Sequence, residues 1–248
     1  LLAAGLGPRL VAVSFGIPGA LDLELAQRVA RAAGVRHEAL DLAQLAPTRA
    51  ELLATARAVP WCYTLEAYFN HEIQRRHGQA ATYWSGSMAN VFAGKDLAVP
   101  APDWPAACRV FSTRSRLLHG RDLTARGFDP LSVLPPRMPV PDGALAPLEQ
   151  LYAFVRTPGR LDPAMLAPGF RWRTPFRTAA WVDFMLRVPR ALRADPSFYR
   201  AIAARSNPAL FALPTKNDFG LEPGSAGLRI FLAHARHKLG RELGARFP

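Results

Sequence analysis

Lysine is nearly missing from this chain: Lys95, Lys216 and Lys238 are the only three among 248 residues. Any site that needs a compact ammonium group therefore has three candidates, and a cationic surface must be built from arginine. Cysteine is equally scarce. Cys62 and Cys108 provide neither a metal-ligand spacing nor a disulfide framework, so they read as two reduced, buried thiols. Half of the residues are apolar, yet no run reaches the eighteen or so that a transmembrane helix needs. The opening Leu1-Leu2-Ala3-Ala4-Gly5-Leu6 has no basic leader of the signal-peptide kind and reads as the end of a helix. A cytoplasmic protein is expected. There is no Gly-x-Ser-x-Gly elbow to support a hydrolase. His234 and His237 lie three apart, but neither a carboxylate nor a thiol accompanies them to complete a metal set. Internal repeats and low-complexity tracts are also missing.

What the chain does have is positive charge, +12 in total and unevenly spread. Residues 1–60 are nearly neutral, with six basic residues against five acids, whereas 153–205 hold ten Arg against three Asp. Such a surface attracts polyanions, including nucleic acids and nucleotide phosphates. A plainer reading is that Arg replaces Lys throughout as a matter of composition. No interleaving of aromatic and basic residues marks a base-stacking surface, and Trp61, Tyr63, Tyr68 and Phe69 read as core or interface aromatics. Nucleic acid is thus the weakest expected partner.

Along the chain, Leu10-Val11-Ala12-Val13 has the continuous apolar pattern of a strand buried on both faces. It ends in Ser14-Phe15-Gly16-Ile17-Pro18-Gly19, where glycine and proline forbid a helix. A helix follows, with Leu21, Leu25 and Val29 on one stripe, Asp22 near its positive end and Gly34 placed to cap it. Val35 to Leu40 alternates as a second strand, completing a βαβ unit. A helix over 62–77, with Leu65, Phe69 and Ile73 on one face, stops at Gly78. Ala80 to Trp84 then reads as a third strand, delivering Ser85-Gly86-Ser87-Met88-Ala89-Asn90 at its carboxyl end, where open α/β sheets bind ligands. Prolines crowd 99–147, predicting short helices and turns. From about 145 the periodicity is helical, including Trp181, Phe184, Met185 and Val188, and again Leu228 to Leu243. The expected organisation is a nucleotide-binding part over 1–98, a proline-rich connector over 99–147 and a helical part over 148–248.

Three segments, in order, carry a family resemblance. Val13 to Asp22, continuing through Ala26, Val29, Ala30 and Gly34 to His37, resembles T-F-G-x-P-G-S-x-D followed by A-R-x-V-A-x-x-L-G-x-x-H. Ser85 to Gly94 resembles S-G-E-G-A-D-E-L-F-G. Arg173-Thr174-Pro175-Phe176, the helix from Ala179, Pro189, and Leu213-Pro214-Thr215-Lys216-Asn217 resemble R-x-P-F-L-D, a helix ending in Pro, and a late lysine-bearing loop. Together they resemble the synthetase domain of the asparagine synthetases, of the adenine nucleotide alpha hydrolase-like class. The resemblance implies an α/β fold: a Rossmann-like parallel sheet with a largely helical C-terminal part. It implies an ATP-dependent carbon–nitrogen ligase that adenylates a carboxylate, releases pyrophosphate and lets an amine attack. Its cofactors would be ATP and Mg²⁺, and its partners a carboxylate substrate and a separate glutaminase.

By that resemblance Ser14, Phe15 and Gly16 would line the adenine and ribose pocket, and Ser85 and Gly86 would bound the nucleotide. Lys216 would be the catalytic cation, and Asn90 would stand at a magnesium position. The departures matter. Asn90 replaces an Asp, and a neutral amide is a poorer Mg²⁺ ligand than a carboxylate. Val91 and Ser87 replace Glu residues, and Arg177-Thr178 replaces Leu-Asp. The family's S-G-G-x-D-S phosphate loop is expected just before Leu1 and is not in the chain, so weak ATP binding without turnover is expected of it as given. Three readings stay open: an impaired amide ligase, a non-catalytic nucleotide-binding or interaction module, and nucleic-acid binding through the 153–205 arginines.

Overall fold

The computed structural model describes residues 5, 7–59, 64–78, 81–94, 96–115, 127–140, 145–166 and 169–215, with single positions at 229 and 232. It is an α/β chain with two parallel two-stranded sheets among the described residues. Two compact units emerge, one from 1–46 with 200–248 and the other from 47–199.

In the first unit, β1 (Val11–Gly16) pairs in parallel with β2 (Arg36–Asp41), from Val11 opposite Arg36 to Gly16 opposite Asp41. Helix α1 (Leu21–Ala32) is the crossover between them, with Asp22 and Glu24 in its positive first turn. Gly34 ends it as expected. Its φ of +63° is accessible to glycine, and the bonds from Gly34 N–H to Arg31 O and from Val35 N–H to Ala30 O complete a Schellman stop. Two expectations are corrected here. β1 is only half-buried, with Phe15 37% exposed, so it is not a strand covered on both faces. The α1 stripe is also rotated: Leu25 and Ala30 are buried while Val29 is exposed.

The second unit opens with α2 (Arg49–Ala58), an element the sequence reading passed over. Thr48 caps it in a reciprocal box: Glu51 N–H donates to Thr48 Oγ1 at 3.2 Å, and Thr48 N–H donates to Glu51 Oε2 at 2.8 Å. Helix α3 (Thr64–His77) stops at Gly78, with φ +74°, much as the sequence predicts. The chain then enters β3 (Thr82–Trp84), α4 (Ala89–Phe92) and α5 (Trp104–Arg114), whose Asp103 caps Ala106 N–H at 2.7 Å. Next, α6 (Pro147–Leu151) leads straight into a π-helix over Tyr152–Leu161. Pro158 explains the wide turn. It has no N–H to give an i→i−4 bond, Asp162 N–H reaches back five residues to Thr157 O, and Thr157 Oγ1 donates to Tyr152 O at 2.9 Å. After α7 (Asp162–Leu166) comes β4 (Arg171–Arg173), the partner of β3 in a region read as helical. The rest is helical: α8 (Ala179–Arg187), α9 (Arg190–Ala194), α10 (Pro196–Ser206) and α11 (Pro208–Phe211), the last two running into the first unit. The expected helix over Leu228–Leu243 lies outside the described residues, as does Cys62.

The core of the second unit gathers Met88, Phe92, Trp104, Phe111, Leu148, Leu151, Tyr152 and Met185, each at most 9% exposed. Full burial of one such side chain contributes roughly 1.5–3 kcal/mol, so this cluster is the unit's main source of stability. Of the α8 stripe, Met185 enters it at 1% exposure while Phe184 stays 49% exposed. Three buried polar side chains tie elements of the unit together. Gln150 donates from Nε2 to the carbonyls of Val140 and Leu145, and accepts Val140 N–H on Oε1, fixing the preceding loop to α6. Asn70 Nδ2 donates to Ala164 O and ties α3 to α7. Arg193, its side chain fully buried, donates to Glu149 Oε1 at 2.7 Å and to Phe92 O at 3.1 Å, joining α9 to α6 and α4. Burial pushes the Glu149 carboxyl above its ordinary range, opposed by the Ala146 N–H and then by Arg193.

Candidate functional site

β3 and β4 run parallel, with Thr82 opposite Arg171, Tyr83 opposite Trp172 and Trp84 opposite Arg173. Their carboxyl ends are therefore adjacent, and so are the loops that leave them. Ser85 N–H extends the ladder by donating to Arg173 O at 2.9 Å. Thr174 Oγ1 donates to Ser87 O at 2.7 Å and locks the two loops together. Two segments singled out in the sequence, Ser85 to Asn90 and Arg173 to Phe176, thus lie side by side although almost ninety residues separate them. Tyr83, against Phe170 at 4.8 Å between rings, anchors the pair from below, and burial raises its hydroxyl above the ordinary tyrosine range.

Within the first loop, the Ser85 and Ser87 hydroxyls are 2.8 Å apart and Ser87 N–H donates to Ser85 Oγ at 3.1 Å, a serine turn that shapes the backbone. Gly86 is open: a Cβ there would meet no atom within 4 Å, so a ligand has room to approach the main chain. Met88 is held at φ +75°, the only non-glycine residue with positive φ among those described. Such a conformation costs about 1–2 kcal/mol. It is imposed because the Met88 side chain is buried and Thr157 Oγ1 contacts its sulfur at 2.8 Å. Asn90 lies on α4 and is exposed.

In the second loop, Thr178 stands where the resemblance implies an Asp, and it serves as the α8 cap: Trp181 N–H donates to its Oγ1 at 3.4 Å. Arg177 stacks over Trp172 at 5.6 Å and donates from Nη1 to Asp162 Oδ1 at 2.9 Å. Between the two loops and the π-helix is a cleft of about 240 Å³, lined by Met88, Phe92, Ala153, Phe154, Pro158, Arg177 and Val182. Apart from Arg177, the residues that line it have apolar side chains.

The remaining site expectations fall elsewhere. Ser14 is half-buried in β1, and its Oγ lies 3.2 Å from His37 Nε2 on β2, a cross-strand contact that the motif spacing did not foretell. Gly16 ends β1 where a Cβ would come within 2.9 Å of Leu23, so its small size serves the approach of α1. Phe15 lies near that strand's carboxyl end and is 37% exposed. Lys216 lies outside the described residues.

No three His, Cys, Asp or Glu side chains among the described residues converge as a metal site, and the Ser85–Asn90 loop offers the Asn90 amide rather than a carboxylate at the implied Mg²⁺ position. Among the 153–205 arginines, Arg187 pairs with Asp183 and Arg193 is buried on Glu149, which removes two charges from any continuous basic face, while Arg177 gives one N–H to Asp162. No described helix is long and apolar enough to cross a membrane. Reading the sequence missed the roles of Arg177, Phe154 and Pro158. The Pro158-Gly159 pair inside a helical pattern was the available signal for the π-helix. Comparison of the chain with protein-family models, with curated proteins and with solved structures finds no match.

Proposed function

We propose that this chain is an asparagine-synthetase-like protein that binds ATP and a carboxylate at its strand-end loops, with pyrophosphate release impaired at the degenerate magnesium position. The observation that carries the reading is the β3–β4 pairing, which sets the Ser85–Asn90 and Arg173–Phe176 segments side by side as a carboxyl-end site requires. On this reading the β1–α1–β2 unit is the start of a Rossmann-like sheet, and Ser14, Phe15 and Gly16 are that unit's adenine-binding residues. Ser85 and Gly86 offer backbone access to the nucleotide, and Lys216 supplies the charge at the reacting centre. ATP brings the leaving pyrophosphate; the chain's own part is to hold the carboxylate in line and exclude water. A cytoplasmic setting, with ammonia from a separate glutaminase, goes with this chemistry.

A second reading, a non-catalytic nucleotide-binding module, draws on one observation: Asn90 is neutral and exposed, and no carboxylate group gathers around a metal among the described residues. Calorimetric titration of ATP with and without Mg²⁺, on the chain and on Asn90→Asp, separates the two. The ligase reading expects ATP binding that Mg²⁺ barely tightens in the native chain and tightens at least tenfold in Asn90→Asp, with pyrophosphate release rising alongside. Unchanged Mg²⁺ response in Asn90→Asp selects the binding module. Loss of ATP binding in both proteins overturns both readings.

A further inference from the structure

Three observations converge on the cleft beside the β3 and β4 loops. Its walls are Met88 and Phe92 from the first loop and α4, Ala153, Phe154 and Pro158 from the π-helix, and Val182 from α8, all apolar. A left-handed Met88 and an unbroken ten-residue π-helix both border it, and each is a costly conformation that surrounding packing must enforce. Arg177 is its one cationic group. Only Nη1 of that guanidinium has a hydrogen-bond partner among the described residues, Asp162, and 42% of the side chain is exposed. A guanidinium stacked on Trp172 is pre-oriented, so binding a planar carboxylate with its other N–H groups costs little side-chain entropy.

The size is informative. At about 240 Å³ the cleft exceeds the roughly 150 Å³ that accepts a benzene molecule and falls short of the ~300 Å³ at which drug-sized sites begin. An aromatic ring or branched aliphatic body with a short acid arm matches it. A second charged group on the body would face the apolar side chains of Phe92, Phe154 and Val182.

We propose that the carboxylate substrate is a monocarboxylic acid with an apolar, ring-sized body, seated in this cleft with its carboxylate on Arg177. This inference rests on the reading of the two loops as the carboxylate site, and it makes Arg177, where the chain departs from the resembling family's Leu, the specificity-determining residue. Phe154, 43% exposed at the cleft wall, supplies the face that covers the ring.

The test uses the full chain without nucleotide, so that its failure is distinct from a failure to bind ATP. Binding of 3-phenylpropionate, 3-phenylpropanamide and acetate is followed by ligand-observed NMR titration. The acid is expected to bind with a Kd near 1 mM, as about eleven non-hydrogen atoms at modest efficiency allow. The amide and acetate are expected to bind at least tenfold more weakly. Arg177→Gln should weaken the acid at least tenfold and leave the amide unchanged, and Phe154→Ala should weaken the acid several-fold without touching acetate. If the amide binds as well as the acid to the native chain, or if acetate alone accounts for the acid's affinity, the proposal is overturned. That comparison needs no variant, so it decides the matter even if Arg177→Gln fails to fold.

Discussion

Replacing Arg193 tests the energetics of the second unit most sharply. Its side chain is fully buried and that of Glu149 is 1% exposed, with 2.7 Å between Nη1 and Oε1. Taking both ions out of water is costly, and their mutual attraction with the Phe92 carbonyl offsets that cost only while both are present. Arg193→Met strands the Glu149 carboxylate in the core and should destabilise the unit by about 3–5 kcal/mol, a large share of a typical domain's ~5–15 kcal/mol. Glu149→Gln added to that variant removes the stranded charge. Gln still offers an oxygen to the Ala146 N–H that Glu149 Oε2 now accepts at 2.8 Å. The double variant should therefore recover about 2 kcal/mol over Arg193→Met alone. Urea unfolding read by both far-ultraviolet circular dichroism and tryptophan fluorescence gives the cycle, the two probes checking that one transition is followed. An Arg193→Met cost below about 1 kcal/mol, or no recovery in the double variant, would refute the buried-pair argument.

Other expectations follow from single contacts. Gly94, φ +82°, faces Arg193: a Cβ would lie 2.7 Å from its carbonyl carbon and closer still to the oxygen. Gly94→Ala should cost about 2–4 kcal/mol from left-handed strain and overpacking, whereas Gly86→Ala, with open space around it, should leave the urea midpoint within error. His71 is held below its ordinary pKa by burial and then by Arg75, so the fold favours neutral imidazole. That stability is complete above the unfolded value near 6.5 and is lost as pH falls from there through the lowered folded value. His71→Gln should flatten the urea midpoint between pH 7.5 and 5.5, and an unchanged slope would contradict the assignment. Cys108 is buried and its thiol pushed up by that burial, so in a Cys62→Ala background it should react with a disulfide reagent at pH 8 only after unfolding.

The parts of this architecture that were legible in the sequence are those governed by local chemistry. Gly34 and Gly78 stop α1 and α3 because each sits where φ must be positive; the break before α1 was legible too, but β1 runs on through Ser14, Phe15 and Gly16, which the sequence reading put in the loop, because all three pair with β2. Helix α2 was equally readable from Thr48 and Glu51, three apart, but its alanine-rich face carries little amphipathic signal. β4 was not readable. Three residues, Arg171-Trp172-Arg173, become a strand only because β3 lies alongside, a pairing decided by tertiary context. For the same reason the Ser85 loop was singled out as a site while its neighbour across the ladder was known only as a motif. The cleft required the π-helix, whose register depends on Pro158 and on the Thr157 hydroxyl together.

The central claim is that the loops after β3 and β4 form a nucleotide-linked ligand site. Photo-crosslinking with 2-azido-ATP, followed by mass-spectrometric mapping of the labelled peptides, tests it most directly. The account predicts saturable labelling within 85–90 or 173–178 that excess ATP suppresses. Labelling confined to other segments, or labelling that ATP does not compete, would contradict it.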